Sequence, residues 1–186
     1  KLPYFKVLAE NKDLTYSPRL YLNQDMLNQV EFRQKEKNYE NNVDFSLKKM
    51  DNSYKKSHFF SNSIIDLDLD GFDNSNLEIN LQKTTHDTYL KTDSIKAAQN
   101  FNHSSLNSFL NYTASKEDLD ILIDFQVYEN LAIEKDSDKY QYVYPNFSIS
   151  KTLDTAFNEY GSFTYQASGF QKTKNTNVTE KSFRND

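Results

Sequence analysis

Asp66, Asp68 and Asp70, followed by Gly71 in the stretch IIDLDLDGFDNSNLE (64–78), repeat the opening of an EF-hand calcium loop. Carboxylates at alternate positions can surround a hard cation, and the glycine permits the sharp turn that closes the loop around it. Such a loop needs a bidentate glutamate at its twelfth position. Counted from Asp66 that position is Leu77, and Glu78 arrives one residue late. Asp73 stands at the eighth position, where paired loops carry an apolar residue. The flanks FFSNSIIDL and LEINLQK read as strands rather than as the helices an EF-hand requires. Alternate aspartates on one strand face give the same spacing without a metal, because side chains alternate with period 2. The stretch is expected to be a strand running into a turn, with no metal bound.

Other residues with chemical potential are scattered. His58, His86 and His103 lie far apart in no ligand spacing, and read as surface or lumen histidines. THD (85–87) holds a His–Asp pair that no partner motif follows. Asp118/Asp120 and Asp136/Asp138 could be pictured as glycosidase acids, but a solvated strand end and a loop account for them more simply. No GxSxG, P-loop, HExxH or GxGxxG motif is present. Sequons at Asn102, Asn111, Asn146 and Asn177 carry little information in a chain so rich in asparagine. The expectation is a protein that is not an enzyme and uses no cofactor.

The elements that carry these residues follow from patterning. The 186 residues have a net charge of -5 with both signs interspersed, so no basic stripe points to nucleic acid. Cysteine is absent, which excludes a disulfide framework and thiolate metal sites. Mean hydropathy is -0.85, yet aromatics reach 15 %, with 13 Tyr and 14 Phe, which argues against disorder. No apolar run approaches the roughly 18 residues of a membrane helix, and KLPYFKVLAE lacks a signal-peptide core and begins as though mid-domain.

Period-2 alternation runs through most of the chain. Val43, Phe45 and Leu47 alternate with Asp44, Ser46 and Lys48. Ile65, Leu67 and Leu69 alternate with the three aspartates, and Leu77, Ile79 and Leu81 with Glu78, Asn80 and Gln82. Ile121, Ile123, Phe125 and Val127 alternate with Asp120, Asp124 and Gln126, Leu122 being the exception. Polar breaks at 23–25, 36–41, 51–57, 73–76, 115–118 and 134–139 separate these runs. KTDSIKAAQNF (91–101) is the one stretch with a helical pattern, and reads as a loop or strand end. The expected fold is all-β: an antiparallel meander of about nine to eleven long strands, several near ten residues. Two architectures fit. One is a soluble sandwich with its apolar face packed on a second sheet. The other is part of a transmembrane β-barrel with its apolar face towards lipid, which strand length favours.

Prolines add a constraint. Pro3 and Pro18 fall in the first two expected strands and Pro145 in a later one. Proline cannot donate to a ladder and is confined to edges, first residues or bulges. Pro3 is expected to begin its strand and Pro18 to sit at a bulge. The alternative is that the first strands are weakly paired so that a seam beside them can open.

An ordered series of short motifs resembles the LptD (OstA, Imp) family of lipopolysaccharide-assembly proteins. Pro3-Tyr4-Phe5, Asn11-Lys12-Asp13, Thr15 to Pro18 and Glu31-Phe32-Arg33 come in the order of that family's barrel start. SHFFSNSIIDLDLDGFDNSNLEINLQKTTHDTYLK (57–91) looks like the family's next hairpin, and DKYQYVYPNFSIS (138–150) and GSFTYQASGFQKTKNTNVTE (161–180) resemble later strands. The resemblance is weak between 92 and 128.

The resemblance implies that residues 1–186 are a single, incomplete segment of an outer-membrane barrel in a Gram-negative cell, without the family's periplasmic jelly-roll domain and remaining strands. It implies lipopolysaccharide as cargo, an LptE-type lipoprotein as plug and an LptA-type periplasmic bridge reached through the jelly roll. Pro3 and Pro18 match the positions that weaken a lateral gate in the family. Asp66, Asp68, Asp70, Glu78 and Asn80 are the expected lumen-facing polar residues.

Overall fold

Alternation with period 2 becomes eleven antiparallel strands in one sheet, ordered in space as in sequence. They are β1 (Tyr4–Ala9), β2 (Lys12–Leu20), β3 (Met26–Lys35), β4 (Tyr39–Lys49), β5 (Lys55–Asp66), β6 (Asn74–Thr84), β7 (Ser105–Lys116), β8 (Leu119–Asn130), β9 (Tyr140–Leu153), β10 (Phe163–Lys174) and β11 (Thr179–Asn185). A single turn of helix, α1 (Tyr89–Thr92), lies between β6 and β7. The computed structural model describes residues 2–22, 25–49, 55–100, 102–133, 138–153, 161–174 and 178–186. The sheet is a meander that does not close into a barrel, and β1 and β11 form its edges. An all-β meander is what the alternation predicts.

Burial along β4, and in part along its neighbours, is the reverse of that in a soluble protein. On β4, Asp44, Ser46 and Lys48 are buried, whereas Phe45 is exposed. Register carries the pattern across the sheet: Asp44 stands opposite Phe60 and Ser46 opposite His58 on one face, and Phe45 opposite Phe59 on the other. The face holding Asp44 is covered by the connection between β6 and β7 and is called the inner face below. The opposite, open face is apolar: Phe45, Phe59, Leu81 and Phe125 are 41 %, 43 %, 49 % and 41 % exposed. Among the described residues no second sheet packs on it.

The hairpin that contains the three aspartates differs from the expected strand. β5 ends at Asp66, paired with Asn76, and the chain bends through Leu67–Asp73. Asp68 and Gly71 take positive φ of 46° and 91°, and the Asp66 carboxylate accepts the Asp68 amide at 3.1 Å. This Asx-type bond offers the backbone an alternative to the ladder. Asp68 and Asp70 thus leave the strand, and Leu67 and Leu69 do not continue its apolar row.

The prolines are placed by hydrogen-bond parity. Bonded and non-bonded pairs alternate along an antiparallel ladder. Lys35 donates to the Asn11 carbonyl at 2.9 Å and Tyr21 to the Asp25 carbonyl at 3.0 Å, which brackets the β2–β3 ladder. Odd-numbered residues of β2 therefore bond to β3, and even-numbered ones, Pro18 included, turn towards β1. Pro18 pairs with Asn28 in unbroken register, so the bulge expected there is absent. It stands one bonded position beyond Tyr4↔Tyr16, the last pair of the β1–β2 ladder. Pro3 immediately precedes β1, as expected. Pro145 lies where the registers of β9 with β8 and with β10 both shift.

Gly169 is required by a close approach. A Cβ there would lie 2.8 Å from the Ser182 carbonyl of β11 and 3.0 Å from the Phe147 ring. Backbone oxygen cannot yield as a flexible side-chain tip can. Gly169→Ala is expected to destabilise the β10–β11 pairing by about 1–3 kcal/mol. The readout is faster amide exchange along β11, with exchange in β4 and β5 unchanged.

Candidate functional site: a segment folded onto the inner face

Residues 85–104 leave β6, reverse direction and lie back over β2–β5. The Tyr89 amide bonds the His86 carbonyl at 3.1 Å and opens α1, and the Ile95 amide bonds the Leu90 carbonyl at 2.9 Å after it. Ser94, with φ of 48°, makes the reversal. This turn presents Tyr89, Leu90, Ile95 and Ala97 to Leu27, Phe60, Leu106 and Leu131, the one buried apolar cluster among the described residues. Complete burial of each large side chain stabilises by about 1.5–3 kcal/mol.

Polar groups do the rest of the docking. His58 lies between two β4 side chains, with Nδ1 2.6 Å from Ser46 Oγ and Nε2 2.6 Å from Asp44 Oδ1. The Tyr89 hydroxyl is 2.7 Å from Ser46 Oγ. Asp44 also accepts two bonds of 3.0 Å from Gln29 Nε2. Nearby, Lys48 Nζ is 2.7 Å from Asp93 and 3.5 Å from Asp25, and stands 4.3 Å from the centre of the Tyr21 ring. The Tyr21 hydroxyl donates to Asp93 at 3.0 Å.

The segment's own carbonyls are held in succession: Asp93 accepts from Arg19 at 2.6 Å, Lys96 from Gln29 at 2.9 Å and Gln99 from Gln82 at 2.7 Å. A loop buried on a sheet must have its backbone groups satisfied. Here β2, β3 and β6 each supply a side chain for the purpose.

Ser46, His58 and Asp44 reproduce the connectivity of a nucleophilic triad. Ser46 is 0 % exposed and the Tyr89 hydroxyl already occupies its free side. A nucleophile needs a reacting carbon about 3–3.5 Å away, and this packing leaves no such approach. The three residues work as a hydrogen-bonded clamp on Tyr89.

Burial shapes the protonation of the docked segment. It pushes the Tyr89 phenol up to about 12, against the pull of the Ser46 bond and with the help of the Asp93 charge. Tyr21 is raised by burial first and by its bond to Asp93 second. At the same rim Lys139 is held above the ordinary lysine value. Burial works against its charge, but the bonds to Asp87, both 2.7 Å, and the nearby Glu129 outweigh it.

The residues singled out from sequence are placed elsewhere. Glu78 accepts from Asn62 at 2.8 Å, and Asn80 donates to the Asn107 carbonyl at 2.7 Å, both on the inner face beyond the docked segment. Asp66 is on the same face at the strand end, whereas Asp68 and Asp70 belong to the turn and line no strand face. His86 and His103 are partly exposed and His58 is buried. Asp136 and Asn177 lie outside the described residues. Among the described residues no three His, Cys, Asp or Glu side chains are grouped to hold a metal.

Sequence reasoning missed His58, Tyr89 and Asp93. The usable signal was the DFSLK run of β4, whose Asp44, Ser46 and Lys48 share a face. No family model matches this chain, and no curated protein matches it at a significant level.

Tyr89 supplies a pH test. Its folded-state value lies above the ordinary 10.0, so its contribution is complete below pH 10 and is lost as pH rises through about 12. Wild type should lose more stability between pH 9 and pH 12 than Tyr89→Phe does, as read from denaturant midpoints. At pH 9 the variant should already be weaker by about 1 kcal/mol, the hydrogen bond to Ser46 being gone. Equal alkaline losses in the two proteins would remove the clamp from this account.

Proposed function

We propose that this chain is part of the wall of a Gram-negative outer-membrane barrel of the LptD type, which takes lipopolysaccharide from a periplasmic bridge and releases it sideways into the outer leaflet. One observation carries the membrane reading: strands β2–β10 are 9–14 residues long, mostly polar on the inner face and, β5 excepted, mostly apolar on the open one. A bilayer-crossing strand needs about 9–11 residues with this polarity.

The lateral-release part rests on the ordered motifs and on β1. This strand has six residues, all exposed, and Pro18 denies it a further bond. Its register turns Phe5 and Val7 to the inner face, 54 % and 62 % exposed, where later strands carry polar residues. An apolar strip beside a weak seam suits acyl chains, and the polar inner face with Glu78 and Asn80 suits the saccharide. Transport of this kind makes no bond and needs no cofactor. Its partners would be lipopolysaccharide, an LptE-type plug and the LptA-type bridge.

A second reading, another large outer-membrane porin or receptor, is favoured by the segment that narrows the inner face. Seam chemistry separates the two. Replacing Pro3 and Pro18 with residues that donate adds up to two ladder bonds of about 1 kcal/mol each. The open-seam population should fall by roughly tenfold or more, with slower delivery of lipopolysaccharide to the surface and greater sensitivity to bulky antibiotics. Unchanged delivery by a folded double variant would favour the porin or receptor.

A further inference from the structure

The β4–β5 hairpin sets lysines directly opposite one another: Lys48 faces Lys56 on the inner face and Lys49 faces Lys55 on the open face. Like charges in such pairs are destabilising, with Cβ atoms about 4.5–5.5 Å apart. On the inner face Lys48 is neutralised by Asp93 and Asp25. Elsewhere on the open face Lys83 is 3.0 Å from Glu129 and lies over the Tyr140 ring, and Lys151 is 4.0 Å from Asp118. Lys49 and Lys55 are both exposed and have no carboxylate among the described residues.

Their surroundings narrow the ligand. The same face continues down both strands into Leu47, Phe45 and Phe59, and Met26 stands beside Lys49 on β3. Lys49 is four positions on from Phe45, a rise of about 13 Å along the strand. An anion bound between the two ammonium groups would therefore carry an apolar part along the aromatic band.

We propose that Lys49 and Lys55 form a site for the phosphate of an anionic lipid headgroup, whose acyl chains lie against Phe45 and Phe59. The phosphate accepts a charge-assisted bond from each ammonium and replaces repulsion with attraction. Ordinary interfacial lysines would sit apart and snorkel singly. A facing pair gains most from one shared anion. The site rests on the membrane-wall reading.

The test uses the full chain folded in neutral detergent, with phosphatidylglycerol, phosphatidylcholine or inorganic phosphate added at matched concentration. For wild type, phosphatidylglycerol should raise the unfolding temperature and the other two should not. In neutral detergent alone, Lys49→Gln/Lys55→Gln should be at least as stable as wild type, because the repulsion is gone. Its phosphatidylglycerol affinity should be roughly tenfold or more weaker. Lys55→Glu supplies an internal partner for Lys49, and should stay folded and ignore the lipid. Equal responses of wild type and both variants to phosphatidylglycerol would overturn the site, as would an equal effect of inorganic phosphate. A wild-type chain that is folded and monodisperse without any detergent would overturn the wall reading itself, a result separate from loss of headgroup preference.

Discussion

Lys48 between Asp93 and Asp25 is the interaction on which the docking of the β6–β7 connection onto the inner face depends. It joins the β2–β3 turn, the end of β4 and the docked segment at one point. Ions taken out of water are tolerated only when geometry and further hydrogen bonds compensate for lost solvation. Tyr21 and Arg19 provide them, one to the Asp93 carboxylate and one to its carbonyl. The Ser46–His58–Asp44 clamp lies a short distance along the same face. A charge brought into this site thus fixes three chain segments that the ladder alone would leave independent.

That arrangement follows from which face of the strands is polar. Buried polar groups must be hydrogen-bonded, so an inner face of Asp, Ser, Gln, His and Lys can be covered only by a segment able to meet each of them. Residues 85–104 do so with a turn of helix, backbone carbonyls and a small apolar cluster. The open face imposes the complementary demand. A single sheet with exposed Phe45, Phe59, Leu81, Leu110 and Phe125 in series presents a patch that soluble monomers do not carry. An apolar solvent would resolve this without a second sheet, which is what supports the proposed lipid-facing reading.

The meander was legible because alternation is a local property. Val43 to Lys48 and Ile121 to Gln126 display both faces within a few residues, and register follows once the hairpins close. Local pattern was misleading at the aspartates. Asp66, Asp68 and Asp70 continue the period of a strand, and only the positive φ of Asp68 and the Asx bond end it. The docked segment was beyond sequence reasoning for a different reason. Tyr89 meets Ser46 across 43 positions and Asp93 meets Lys48 across 45, so neither contact leaves a periodic trace. The 91–101 stretch, expected as a loop or strand end, proves over 91–100 to be the tail of α1 followed by turns and a short bridge between Ala97 and Asn100. Pro18 shows the same limit: its presence was visible, but the side of the strand it faces required the ladder's parity.

These features divide the sheet mechanically. Among the described residues, the bonds from the docked segment to the first strands begin at Arg19, so β2 to β5 are cross-linked over their inner face while β1 receives none. Parting β1 from β2 would break a ladder of a few pairs and leave Lys48, His58 and Tyr89 undisturbed. Pro18 and Arg19 are adjacent, one ending the pairing with β1 and the other beginning the attachment of the segment. The proposed lateral release would require such a boundary, between a strand free to part and strands held together over their inner face, and here it would fall between two consecutive residues.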